Sequence, residues 1–265
     1  GDGILFWVKI KAKVNPDKIE EMAKRVKEKS VIEDYKKIQE AYNKSQREIE
    51  ELKKQLAGAK GEKEKKQVEA KITDEERLLQ ANEWFDKGYE YGLNKDYDKA
   101  IEAYTKAITL NPNDAAAYNN RGTLSLYGKE KGQHDRAIED YNKAIALDPN
   151  LAEAYTNRGI VYANKGQYDR AIEDYNKAIA IDPNYDEAYS ARAVVYSEMR
   201  QYDMAIKNFN KAITLNPNHA NIYVGLGFAY LGKRNNKKGI SNLQKACDMG
   251  DEVGCKSLQR ALEKR

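Results

Sequence analysis

Few kinds of side chain here have reactive chemistry to offer: nineteen tyrosines, two histidines and two cysteines in 265 residues. Tyrosines can stack on nucleic-acid bases, histidines can hold metals or move protons, and cysteines can do redox or metal chemistry. The spacing removes most of these options. His134 and His219 each stand without a second ligand or an acid–base partner nearby in sequence. Cys247 and Cys255, in KACDMGDEVGCKSL, have seven residues between them, and two ligands are too few for a metal site. No paired acid and base, nucleophile constellation or phosphate loop stands out. Neither an enzyme, a cofactor nor a metal is expected.

Composition narrows the class further. Hydrophobic residues make up 41% and charged residues 33% of the chain, and no run of 18 apolar residues offers a membrane span. The positive excess lies in residues 1–72, and the remainder is near neutral. A near-neutral region lacks the dense basic stripe that phosphate-backbone binding requires, so nucleic acid is not expected as a partner. The residues from Gly1 onward show neither a basic n-region nor a small-residue cleavage site, so they are not expected to be a signal peptide.

The elements follow from periodicity. Residues 1–15 read as one strand, with Ile4, Phe6, Val8 and Ile10 on one face, lysines on the other, and Leu5 and Trp7 making its first half apolar on both faces. A lone strand must pair with something, either another chain or the remainder of a small domain. Asn15 and Pro16 read as a helix start. Residues 16–57 form an amphipathic region in which Val31, Tyr35, Ile38, Tyr42, Ser45, Ile49, Leu52 and Leu56 make a coiled-coil-like heptad seam. Gly58 and Gly61 suggest a hinge or linker over 58–72, and Thr73 to Glu76 a capping box.

From there the chain repeats itself with a period of 34. The copies are 81–114, 115–151, 152–185, 186–219 and 220–253, within an array spanning 73–251. The first carries Trp84, Gly88, Tyr91, Ala100, Tyr104, Ala107 and Pro112, and the third Tyr155, Gly159, Tyr162, Ala171, Tyr175, Ala178 and Pro183. This pattern resembles the tetratricopeptide repeat, a helix-turn-helix unit. The resemblance implies a mainly α fold, an α-solenoid of five such units closed by a capping helix over 252–265. Small residues at the eighth and twentieth positions let paired helices cross closely, and rings at positions four, eleven and twenty-four fill the space between helices. Fourteen of the tyrosines fall on consensus positions of the repeat, eleven of them on these three and Tyr97, Tyr168 and Tyr202 on the seventeenth, and are expected in the core.

In that family the first helix of each repeat lines a concave groove for a protein partner. The corresponding residues are Phe85 and Tyr89; Asn119, Asn120, Thr123 and Tyr127; Thr156, Asn157, Ile160 and Asn164; Ser190, Val194 and Glu198; Val224, Phe228 and Leu231. Asn120 and Asn157 would direct amides to an extended peptide backbone, a series interrupted by Ala191 and Gly225. The largely apolar ninth position suits an amphipathic helix or an apolar extended segment. Phe85 and Tyr89 stand where chaperone-binding members have a carboxylate clamp, which disfavours acidic chaperone tails. The cysteine segment resembles cysteine-rich Sel-type repeats, which implies a Cys247–Cys255 disulfide. That would place the chain in an oxidising compartment, the periplasm or outside the cell; free thiols in a cytosolic protein are the alternative. The expected function is a protein-interaction scaffold in an envelope or extracellular assembly. A structural subunit built through residues 1–56, as a homo-oligomer or larger assembly, is the rival.

Overall fold

The computed structural model describes residues 29–127 and 134–263. The expected strand, with Ile4, Phe6, Trp7, Val8 and Ile10, and the helix start at Pro16 lie outside the described residues. All elements among the described residues are helices. The chain divides into two compact units, Gly1–Leu147 and Asp148–Arg265.

The first unit holds α1 (Lys29–Gly58), α2 (Glu62–Leu93), α3 (Tyr97–Leu110), α4 (Ala115–Ser125) and α5 (His134–Leu147). Helix α1 packs against α2, and its heptad residues Tyr42, Ser45, Ile49, Leu52 and Leu56 are buried or half-buried while most of the described residues between them are exposed. The linker expected over 58–72 is much shorter, because α2 resumes at Glu62. The run EKEKK that follows Gly61 consists of good helix formers, so the glycine break costs only a short turn. Thr73 is not a cap: it lies inside α2, where its hydroxyl donates to the Glu69 carbonyl at 3.0 Å. The first helix of the first repeat is therefore the C-terminal part of a 32-residue helix.

The second unit holds α6 (Ala152–Asn164), α7 (Tyr168–Ile181), α8 (Asp186–Glu198), α9 (Tyr202–Leu215), α10 (Ala220–Gly232), α11 (Asn236–Asp248) and α12 (Glu252–Glu263). Here three helix pairs stack in sequence order, and α12 closes on α11 and α10.

Two kinds of turn alternate. Between repeats, the Asx before three of the prolines accepts from the backbone two residues on: Asn111 from Asn113 N at 3.2 Å, Asp148 from Asn150 N at 2.9 Å, and Asp182 from Asn184 N at 2.8 Å. The proline removes the amide that would continue the helix. Within repeats, the turn needs one left-handed residue, filled by Lys95, Gly166, Arg200 and Arg234. The turn from α11 to α12 uses this second geometry, with Gly250 left-handed and Asp251 N donating to the Ala246 carbonyl at 3.0 Å. That accounts for the missing proline of the fifth copy.

Packing within the first three pairs is set by a ring laid on a glycine. A Cβ added at Gly88 would fall 2.9 Å from the Tyr104 ring, and one at Gly159 2.7 Å from that of Tyr175. The fourth copy departs from this, with buried Ala193 in the glycine's place and Phe209 as the ring. At the C-terminal end, Leu243 and Leu258 pack together with Val224. Cys247 and Cys255 are joined there as a disulfide with Cα atoms 4.5 Å apart. Closing so short a loop stabilises the docked α12 by about 2.5 kcal/mol on the chain-entropy model.

A further tie escapes the sequence reading. Arg121 on α4 grips Asp140 on α5 with bonds of 2.9 and 2.7 Å, and Arg158 on α6 grips Asp174 on α7 at 2.8 and 2.7 Å. Both carboxylates are only 6% exposed. Their hydrogen bonds raise both guanidinium pKa values despite burial. Arg192 has the same arrangement with Asn208 at 2.9 and 2.7 Å, and with no charge opposite it burial lowers its pKa. Arg121 and Arg192 each also reach back to the preceding repeat, to Thr105 and Asn176. Each of these two arginines thus ties three helices. Asp140→Ala strands a buried guanidinium and is expected to cost about 3–5 kcal/mol in urea unfolding. Asn208→Asp trades the amide's bond to the Met204 carbonyl for a charged partner and should raise stability by about 1 kcal/mol; a fall would show that the neutral pair is the better one.

Candidate partner-binding faces

The first-helix face of the first unit centres on a pocket of about 180 Å³ lined by Tyr89, Gly92, Leu93, Tyr104, Asn120, Thr123 and Leu124. Tyr89, Asn120 and Thr123 are expected to meet at a groove, and the fold brings them together. Phe85 is half-buried, with its ring set edge-on to Tyr104 at 5.2 Å. Tyr127 is exposed and lies 5.6 Å from the Tyr97 ring. Asn119, by contrast, is only 4% exposed and belongs to the packing between helices.

Asn120 is not simply a peptide-directed amide. Its Nδ2 donates to the Tyr104 hydroxyl at 3.2 Å, so the sixth position of one repeat serves the ring at position twenty-four of the repeat before it. The interruption at Gly225 has the same origin. A Cβ there would lie 2.5 Å from the Phe209 ring, which carries no hydroxyl for an amide to meet. Thr123 is similarly placed against the Tyr141 hydroxyl, at 3.1 Å.

In the second unit, Thr156 is 1% exposed and donates to the Ala152 carbonyl, and Val224 sits in the core, so neither faces a partner. Asn157 and Ser190 are half-buried. Leu231 packs toward α11, where a Cβ on Gly239 would approach it to 2.7 Å; the small residue there makes room for it. The ninth position behaves differently. Ile160, Val194 and Phe228 are 39%, 49% and 49% exposed, and Asn164 and Glu198 are exposed beside them.

Asp86 holds the sixth position of the first repeat and is a carboxylate whose ionisation is strongly altered. It is 8% exposed, and its Oδ1 has no hydrogen-bond partner among the described residues. Burial first, and the charge of Glu83 second, push its pKa from 3.8 up to about 7. His219 sits 3.4 Å from Asp186 Oδ2 at the start of α10.

Stacked helix pairs, a left-handed residue in each described turn within a pair and residues set out at a fixed interval on the first helices define a helical-repeat protein. Tetratricopeptide-repeat models match residues 81–114, 152–185 and 186–219, a second such model matches 129–166, and a third matches 103–139. Together these run from 81 to 219, more than half of the sequence, and the chain belongs to the tetratricopeptide-repeat family. The Mus musculus protein DnaJ homolog subfamily C member 7 is 39% identical over 59 residues, which is 22% of this chain and 12% of that protein. The chain thus spans about an eighth of that relative's length. Among solved structures, the MamA protein is similar at 28% identity and a TM-score of 0.52, covering 65% of this chain and 93% of its own. The thermophilic protein TTC0263 from Thermus thermophilus (19% identity, TM-score 0.59, 69% and 98% covered) shares the fold. So does YrrB, described as having an unusual peptide-binding site (20% identity, TM-score 0.52, 72% and 97% covered).

The Asp86 carboxyl binds a proton more tightly in the folded chain than in the unfolded one. Its contribution to stability is therefore greatest below about pH 4 and falls as pH rises to about 7, by up to roughly 1.4 kcal/mol per pH unit, levelling off above that. Asp86→Asn should remove this slope, so that its stability advantage over the parent grows between about pH 4 and 7 in urea titrations. A pH-independent difference would place the perturbed group elsewhere.

Proposed function

We propose that the chain is a non-catalytic scaffold that binds segments of partner proteins on its first-helix faces. The observation that carries this reading is the row Ile160, Val194 and Phe228, large apolar side chains left in solvent on the first helices of successive repeats, where the fold does not bury them. Exposed apolar groups arranged in register, rather than scattered, mark an interaction surface. The pocket around Tyr89, Asn120 and Thr123 gives the first unit a smaller counterpart, apolar at its base with an amide and a hydroxyl at its wall.

The Cys247–Cys255 disulfide supports a location in an oxidising compartment, the periplasm or the outside of the cell, and hence a role in an envelope or extracellular assembly. Unreduced protein freshly isolated from its source should resist alkylation at both cysteines in mass spectrometry; labelling of both would remove this argument.

A photo-crosslinking amino acid substituted at Tyr127 or Phe228 is expected to capture a protein partner in the native source, whereas the same substitution at the exposed second-helix residue Glu173 should not. Capture from Glu173 alone would move binding to the opposite face.

A further inference from the structure

In the second unit, α6, α8 and α10 lie side by side as the first helices of successive repeats. The residues each exposes most fall at the same three positions, the second, ninth and thirteenth of the repeat: Glu153, Ile160 and Asn164; Glu187, Val194 and Glu198; Asn221, Phe228 and Gly232. At 100° per residue these positions share one side of each helix. The face therefore carries an apolar row, with carboxylates about 10.5 Å to one side along the helix axes and a further carboxylate about 6 Å to the other. Within these three helices the exposed charges are all negative. Arg158 and Arg192 turn inward to the second helices, and beyond the ends of these helices cations stand in the turns, as at Lys165, Arg200 and Lys233.

The spacing across the row selects the occupant. Packed helices sit about 8–10 Å apart, so the apolar side chains recur at about that interval. An α-helix laid along the row advances about 10.5 Å in seven residues and so presents one apolar residue per step. A β-strand repeats its face every 6–7 Å and loses register by the second contact. The carboxylates on the two sides stand about 16.5 Å apart along the helix axes, which leaves room between them for a helix with its side chains, about 10–12 Å across.

Resting on the reading of these faces as protein-binding surfaces, we infer that the face of α6, α8 and α10 docks an amphipathic α-helix whose apolar residues recur every seventh position and whose flanks carry Lys or Arg. The apolar row supplies the burial, and Glu153, Glu187 and Glu198 fix orientation and reject acidic helices.

The probe is a labelled Ala-rich helix of about 21 residues with leucine at every seventh position and lysine on its flanks, titrated with the full chain and followed by fluorescence anisotropy. Binding is expected, weakening at least about tenfold when glutamate replaces the probe's lysines, when its leucines are moved to every fifth position, or when Ile160, Val194 and Phe228 are all changed to Ser. These three are exposed, so the variant should keep the parent's circular dichroism. Equal binding of the lysine and glutamate probes, unchanged binding by the triple variant, or no binding of the lysine probe overturns the inference. If crosslinking from Phe228 still captures a native partner while the lysine probe fails, the scaffold reading stands and the basic-helix partner falls.

Discussion

How closely the two helices of a repeat can cross is decided where a ring on the second lies flat on a glycine of the first. Tyr104 on Gly88 and Tyr175 on Gly159 leave no room for even a methyl group. Much else follows from that approach. The rings are driven to near-complete burial, which raises the pKa of Tyr104 and Tyr175, and a buried hydroxyl then needs a partner. Tyr104 takes one from the next repeat in Asn120; Phe209 has none to satisfy and meets Gly225 instead. The identity of one ring thus propagates into the neighbouring helix.

This coupling explains what the sequence could and could not reveal. The period of 34, the prolines after Asn or Asp and the small–large alternation are local signals, and the helices fall where they predict. The sixth-position series is harder to read, because Asn120 faces both a possible ligand and a tyrosine, and only the folded chain shows which it serves. Asn119 and Thr156 share the polarity of surface residues but lie on the packed side of their helices. Two glycines overstate the linker: in LAGAKGEKEKK the lysines and glutamates favour helix over all but the few residues around Gly61. Residues 1–28, where the strand is expected, lie outside the described region.

The Arg–Asp ties were legible in principle. Arginine precedes the glycine in YNNRG and YTNRG, and aspartate precedes the ring in IEDY, so the two recur together in the second and third copies. In the fourth copy arginine remains while Asn208 replaces the acid, and in the fifth both are lost, with Leu226 and Asn242 at those positions. Such paired change is visible only when the copies are compared column against column, since within one copy each residue passes for ordinary surface charge.

The disulfide also alters how the second unit carries mechanical load. A pull applied beyond α12 travels along the chain to Cys255 and crosses directly to Cys247, so the turn at Gly250 bears no tension and the residues between the two sulfurs are spared. The force enters α11 at its last turn, and the first non-covalent contacts to resist it there are those of Leu243 and Ala246 with Val224 on α10. With the link intact, the end of this unit behaves as a bracket fastened to its outermost helix pair, whereas in a reduced chain only the packing of α12, with Leu258 at its centre, would resist the pull before α12 came away.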